Sequence, residues 1–88
     1  MQTKSPEIDQ AIQIANAAGN SVHEIYREWS KMKQVVYMSL PLNDWARDEI
    51  TRQIPSLEHW TVERTPHNAA EEGFTCGKHK VAISFPTR

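Results

Sequence analysis

Hydrophobic residues in the first third of the chain recur in steps of three and four. The series consists of Ile8, Ile12, Ala15, Gly19, Val22, Tyr26 and Trp29. This spacing places all of its members on one face of an α-helix. Ser5, Pro6 and Glu7 supply a matching start, with a capping hydroxyl, a proline suited to the first turn and an acid near the positive helix end. We therefore predict a long N-terminal helical segment over residues 6–33.

Gly19 and Asn20 form a natural helix end inside this segment. Ser21 follows, and Glu24 stands three positions after it, which is the capping-box pattern of a new helix start. The pattern leaves two alternatives open, one continuous helix or two helices split at 19–20.

The rest of the chain alternates between strand and helix patterns. Residues 34–42 (QVVYMSLPL) are apolar at both parities, which is typical of a strand covered on both faces. Asn43 can cap a helix that must end before Pro55. Residues 59–66 (HWTVERTP) and 78–86 (KHKVAISFP) alternate hydrophobic and polar positions, so each predicts a strand.

The predicted order of elements defines an α+β fold. A long N-terminal helical segment is followed by β-α-β-β, which gives a small three-stranded sheet packed with helices and a right-handed crossover. Residues 65–73 (TPHNAAEEG) predict an exposed loop with a helical turn capped by Asn68. With 88 residues and 39% hydrophobic content, the chain suits a single small domain over residues 1–88.

Charge and hydropathy narrow the functional class. The net charge is −1; residues 1–34 carry four basic and four acidic side chains, and residues 35–88 carry six and seven. The balanced charge in both parts of the chain therefore does not predict a polyanion-binding surface. The longest apolar run, residues 35–38, is far shorter than the ~20 residues that span a bilayer. Without an apolar leader and with a single cysteine, we expect a cytoplasmic protein with no membrane partner and no internal disulfide.

The stretch EEGFTCGKHK (71–80) contains the residue types most often used in chemistry. Cys76 and His79 have the spacing of a zinc-ligand pair, but the sequence lacks the second short-spaced pair of a structural zinc site, since only His59 and His67 lie nearby. We therefore predict no metal site, no cofactor and no catalytic residue here.

Side-chain parity offers another interpretation of the same stretch. The last strand has odd-numbered inward residues such as Val81 and Ile83, whereas Phe74 and Cys76 are even-numbered. A single regular strand would put them on opposite faces. We expect Gly77 to change the register as a bulge or turn residue with positive φ, which makes Cys76 a small packing residue.

The exposed candidates for recognition are an aromatic residue and a basic segment. Trp45, next to Arg47 in the predicted second helix, is a candidate interface anchor because tryptophan is enriched in binding hot spots. Lys78, His79 and Lys80 form a basic, exposed beginning of the last strand. No phosphate-binding glycine loop or convergent carboxylate pair is evident, so we predict neither an enzyme nor a small-molecule substrate.

The leading hypothesis is a non-catalytic macromolecular interaction module that binds another protein. As a class, it is similar to the small regulators and inhibitors encoded by phages and other mobile elements, including anti-CRISPR proteins.

The alternative hypothesis rests on the stretch ANAAGNSVHEIYREW. Ala15, Gly19 and Ile25 have the spacing that lets two helices approach and lock, which resembles the helix-turn-helix of invertase-type recombinases and tetracycline-repressor-type regulators. The resemblance implies a DNA-binding transcriptional regulator that uses residues 15–31, with nucleic acid as the partner. Its DNA-contacting residues would be His23, Arg27 and Lys31.

Overall fold

The computed structural model describes residues 4–26, 31–67 and 69–87, which form two helices and five strands. The helices are α1 (Pro6–Ala17) and α2 (Asp44–Gln53). The strands are β1 (Val22–Tyr26), β2 (Gln34–Met38), β3 (Glu58–Val62), β4 (Glu71–Cys76) and β5 (Val81–Pro86). They form one mixed sheet in the order β1-β2-β5-β4-β3. The α+β class is confirmed, but the prediction of a small three-stranded sheet behind a long helix is wrong.

Helix α1 is much shorter than predicted, although its start is confirmed. The buried Ser5 caps it, because its Oγ accepts a hydrogen bond of 3.1 Å from the Ile8 amide. Gly19 follows the helix with a φ of 95°, the left-handed conformation that commonly ends helices at glycine. Of the two alternatives, a continuous helix is wrong because α1 ends at Ala17, and the two-helix alternative is wrong because a strand follows.

Strand β1 occupies residues 22–26, where the sequence predicted a helix. A register shift between Val22 and Glu24 inserts one extra residue, His23, as a β-bulge. The bulge brings Val22 and Ile25 to the same face, where both pack against the core. A spacing of three, which normally indicates a helix, is here produced by a bulged strand.

Strand β5 lies at the centre of the sheet, parallel to β2 and antiparallel to β4. Its residues 81–85 are all buried. Both helices cover one face of the sheet, and the hydrophobic cluster between them includes Ile8, Ala15, Val36, Met38, Ala46, Ile50, Phe74, Cys76, Val81, Ile83 and Phe85. Strand β2 has a neighbouring strand on each side, β1 and β5.

Strand β4 was missed, because its first residues were assigned to a loop over 65–73. It forms a hairpin with β5 in which Cys76 pairs with Val81 and Phe74 with Ile83. Residues that pair across two strands lie on the same face of the sheet. The inward residues are therefore even-numbered on β4 and odd-numbered on β5, and the turn of residues 77–80 produces this change. Cys76 is buried, as expected of a packing residue. The prediction of a positive φ at Gly77 is wrong, because the left-handed residue of this turn is Lys80, with a φ of 57°.

Candidate functional site

The connection between β2 and α2, together with the first turn of α2, presents two large apolar side chains to solvent; we call this segment, residues 39–45, the β2–α2 corner. Leu40 is 50% exposed and Trp45 is 53% exposed. Among the described residues, the other exposed large hydrophobic side chain is Val62 on the edge strand β3. Leu40 and Trp45 are five positions apart in the chain, which makes this segment the candidate for a contact surface.

The first half of the corner is held by hydrogen bonds to the connection between α1 and β1. The amide of Leu40 donates a hydrogen bond of 2.6 Å to Oδ1 of Asn20, a buried polar residue. The Ser39 amide donates to the Ser21 carbonyl at 2.9 Å, and Ser39 Oγ accepts from the Ser21 amide at 3.1 Å. These bonds hold the backbone of Leu40 while its side chain points to solvent.

The second half of the corner is fixed by the start of α2. Asn43 caps the helix as predicted, with its Oδ1 accepting a 2.8 Å hydrogen bond from the Ala46 amide. Leu42 is buried in the core, and its carbonyl accepts a hydrogen bond of 3.1 Å from Nη2 of Arg47. Trp45 therefore projects from a capped helix end with little freedom in its backbone.

Arg47, predicted as a partner-binding residue, makes intramolecular ion pairs. Its guanidinium donates to both carboxylate oxygens of Glu72 at 2.7 and 2.8 Å, and to Asp44 at 2.7 Å. These bonds, above all the one to Glu72, raise the pKa of Arg47. In return, the hydrogen bond from Arg47 lowers the pKa of Glu72, with a further contribution from His59. Arg47 thus connects the start of α2, which is part of the corner, to strand β4.

A second cluster of polar side chains lies where the turn of residues 77–80 meets the first turn of α1. The Cys76 thiol donates to Oε2 of Glu7 over 3.1 Å, and Nε2 of His79 lies 3.6 Å from the same oxygen. Ser5 Oγ also donates to that oxygen, at 3.1 Å. The hydrogen bond from Cys76 is the largest of the contacts that lower the pKa of Glu7, ahead of the one from Ser5.

The candidate partner-binding residues do not form one surface. Lys78 and Lys80 are exposed on the turn after Cys76, whereas Arg47 binds Glu72 near the other end of β4. Glu72 and Cys76 are four residues apart on that strand, which corresponds to about 13 Å. Trp45 and the basic turn therefore belong to separate regions.

The candidate DNA-binding residues do not lie on a recognition helix. His23 is exposed at the bulge of β1, Lys31 is exposed outside both helices, and Arg27, like Trp29 and the predicted cap Asn68, lies outside the described residues. Because residues 22–26 form a strand, the second helix of the predicted helix-turn-helix is absent from the described residues. DNA recognition through that motif has no structural support here.

Sequence reasoning missed three of the residues that build these sites. Leu40 was included in the strand predicted over 34–42, but β2 ends at Met38. Asn20 was read only as a helix end, and Glu7 only as a favourable charge near the helix dipole. The pair Leu40-Pro41 indicated that the strand ends before Leu42, because a residue before proline marks the end of a regular element.

Comparison of the chain with family models, with curated proteins and with solved structures gave no match. Within the part of the chain that the structure describes, neither helix has the length and apolar character needed to cross a membrane.

Proposed function

We propose that this protein is a non-catalytic interaction module that binds another protein through the β2–α2 corner. The observation that carries the proposal is the exposure of Leu40 and Trp45 on a backbone that is already ordered. Tryptophan offers a large contact area with few rotatable bonds, which is why it dominates binding hot spots. A preordered backbone adds to affinity, because less conformational entropy is lost on binding.

The charges around Trp45 indicate the chemistry of the partner. Asp44 is almost fully exposed and Asp48 is exposed on the next turn of α2. The positive charge of Arg47 is opposed by Glu72 and Asp44. The apolar corner therefore has an acidic border, and a complementary partner has an apolar pocket with lysine or arginine on its rim. Binding of this kind acts by covering a surface of the partner, which is how small inhibitors and regulators work.

Affinity capture with matched variants tests this proposal. The wild-type chain, Trp45→Ala and Val62→Ala are each used as bait in lysate of the native host, with and without nuclease. Val62→Ala is the control, because Val62 is also an exposed apolar residue but lies on β3. We expect wild type and Val62→Ala to retain one protein that Trp45→Ala loses, independently of nuclease. Circular dichroism should show that all three fold alike.

Quantitative binding then measures the role of Trp45. With the captured partner purified, Trp45→Ala should weaken binding roughly 30-fold, as expected of a hot-spot residue. Leu40→Ala should have a smaller effect in the same direction. Equal retention by all three baits, or recovery of nucleic acid alone that high salt removes, would contradict the proposal.

A further inference from the structure

Glu7, Cys76 and His79 bring three different metal-ligating groups to one place. One ligand atom from each residue can be chosen so that all three lie within 4.8 Å of one another. In a tetrahedral zinc site, metal–ligand distances of about 2.0–2.3 Å place neighbouring ligand atoms roughly 3.3–3.7 Å apart. Two of the three separations are close to these values, 3.1 Å between Cys76 Sγ and Glu7 Oε2 and 3.6 Å between His79 Nε2 and that oxygen. The third, between Cys76 and His79, lies within the 4.8 Å limit.

The ligand types identify the class of ion. A thiolate and an imidazole prefer zinc and similar transition metals, whereas Mg²⁺ and Ca²⁺ prefer oxygen ligands alone. A deprotonated Cys76 and an ionised Glu7 together carry two negative charges, which balance one divalent cation. Lys78 and Lys80 lie nearby on the turn, but both are exposed, so solvent screens their charges.

The three ligands come from ordered backbone and are oriented by neighbouring groups. Cys76 is the last residue of β4 and is paired with Val81. The turn that carries His79 is tied to the beginning of β2, because the Lys80 carbonyl accepts a 2.7 Å hydrogen bond from the Lys33 amide. Ser5 orients the carboxylate of Glu7, as outer hydrogen-bond partners do in metal sites.

The site is also accessible. The side chains of Glu7 and His79 retain 27% and 30% exposure, while Cys76 lies buried beneath them. An ion can therefore enter from solvent and bind the thiolate from the open side. Three protein ligands leave a fourth position for water, the arrangement of zinc sites with an open coordination position.

The geometry points to a zinc site formed by Glu7, Cys76 and His79, with water as the fourth ligand. Without metal, the Cys76 thiol donates its proton in a hydrogen bond to Glu7. Zinc replaces this proton, which is released to solvent. The site is independent of the β2–α2 corner, so either can exist without the other.

Metal titration of the full chain without a histidine tag tests the site. The protein is reduced, stripped with chelator and dialysed, and Zn²⁺ binding is followed by calorimetry. We expect one ion per chain and a rise in melting temperature on the order of 10 °C when free zinc is ~100-fold above Kd. Co²⁺ in place of zinc should show a thiolate-to-cobalt charge-transfer band and the visible bands of a four-coordinate ion.

Variants assign the ligands. Glu7→Gln and His79→Gln, which change partly exposed side chains, should each weaken binding at least about tenfold, and Cys76→Ser should remove the charge-transfer band. His67→Gln is the control, because His67 is exposed and outside the cluster. If Cys76→Ser does not fold, Glu7→Gln and His79→Gln still test whether this cluster binds zinc. A wild-type protein without saturable one-to-one binding, a cobalt spectrum without the thiolate band, or equal loss in His67→Gln overturns the zinc site.

Discussion

Arg47 on α2 and Glu72 on β4 form a two-point ion pair across the helix–sheet interface. Nε donates to Oε2 at 2.7 Å and Nη2 donates to Oε1 at 2.8 Å. The carboxylate side chain is only 9% exposed, whereas the arginine is 33% exposed. His59 adds a third contact, with its Nε2 at 2.7 Å from Oε2 of Glu72. The pair fixes the start of α2, and with it the β2–α2 corner, on the sheet.

Removing the arginine from this pair should destabilise the fold. Arg47→Ala leaves the buried carboxylate of Glu72 without its main partner, and we expect a loss of about 2 kcal/mol in the free energy of unfolding. Urea denaturation at pH 7 measures it. Arg52→Ala is the matched control, because Arg52 pairs with Glu49 on the exposed side of the same helix and should cost at most about 0.5 kcal/mol. Equal losses in both variants would contradict the structural role of Arg47.

The same pair predicts how stability depends on pH. Hydrogen bonding from Arg47, then from His59, lowers the pKa of Glu72 below its ordinary value of 4.5. A carboxylate whose pKa is lower in the folded state stabilises the fold above the unfolded value, and this contribution is lost as the pH falls through the folded value. The free energy of unfolding contributed by Glu72 should therefore decrease as the pH falls below about 4.5.

Denaturation curves between neutral and acidic pH measure this effect. In Glu72→Gln the decline in stability towards acid should be shallower than in wild type, since the glutamine does not titrate. Glu58→Gln, on the exposed edge strand β3, should retain the wild-type slope. The prediction fails if Glu72→Gln follows the wild-type curve.

Gly73 on β4 should tolerate no larger residue. A Cβ added there would overlap the carbonyl oxygen of Ile83 and lie 2.5 Å from Cζ2 of Trp60. Gly73→Ala should therefore cost about 3 kcal/mol or more, or prevent folding. Gly77→Ala is the control, because an added Cβ meets nothing within 4 Å there, and its stability should stay within about 1 kcal/mol of wild type. Thermal unfolding of both variants distinguishes the two positions, and similar melting temperatures would rule out this packing.

Asn20 should matter for stability although it lies in a connection. Its Oδ1 is the acceptor for the Leu40 amide, so Asn20→Ala should cost about 1–2 kcal/mol in the free energy of unfolding. Asn16→Ala, on the exposed side of α1, should be neutral or slightly stabilising because alanine favours helices. Hydrogen exchange at Leu40 should accelerate in Asn20→Ala alone. An unchanged exchange rate would show that this bond does not hold the corner.

The candidate sites show the limit of reasoning from sequence spacing. Cys76 and His79 were noticed because they are close in sequence, but the group that joins them is Glu7, 69 positions from Cys76. Similarly, Asn20 supports Leu40 from 20 positions away. Neither partner carries a local signal, because its role arises only when α1 is placed against the sheet. Trp45 could be proposed from its type and position, and its exposure is consistent with that prediction.

The sequence by itself determined the features that depend on neighbouring residues. The Ser5 cap, the Asn43 cap and the apolar character of β2 and β5 each depend on a few neighbouring positions, because caps, prolines and side-chain alternation act locally. Only the tertiary structure decided that residues 22–26 are a strand, that β4 pairs between β3 and β5, and that Glu7 meets Cys76. The reason is physical: hydrogen bonds between strands and contacts between α1 and the sheet join residues far apart in the chain, and these contacts override local helical spacing.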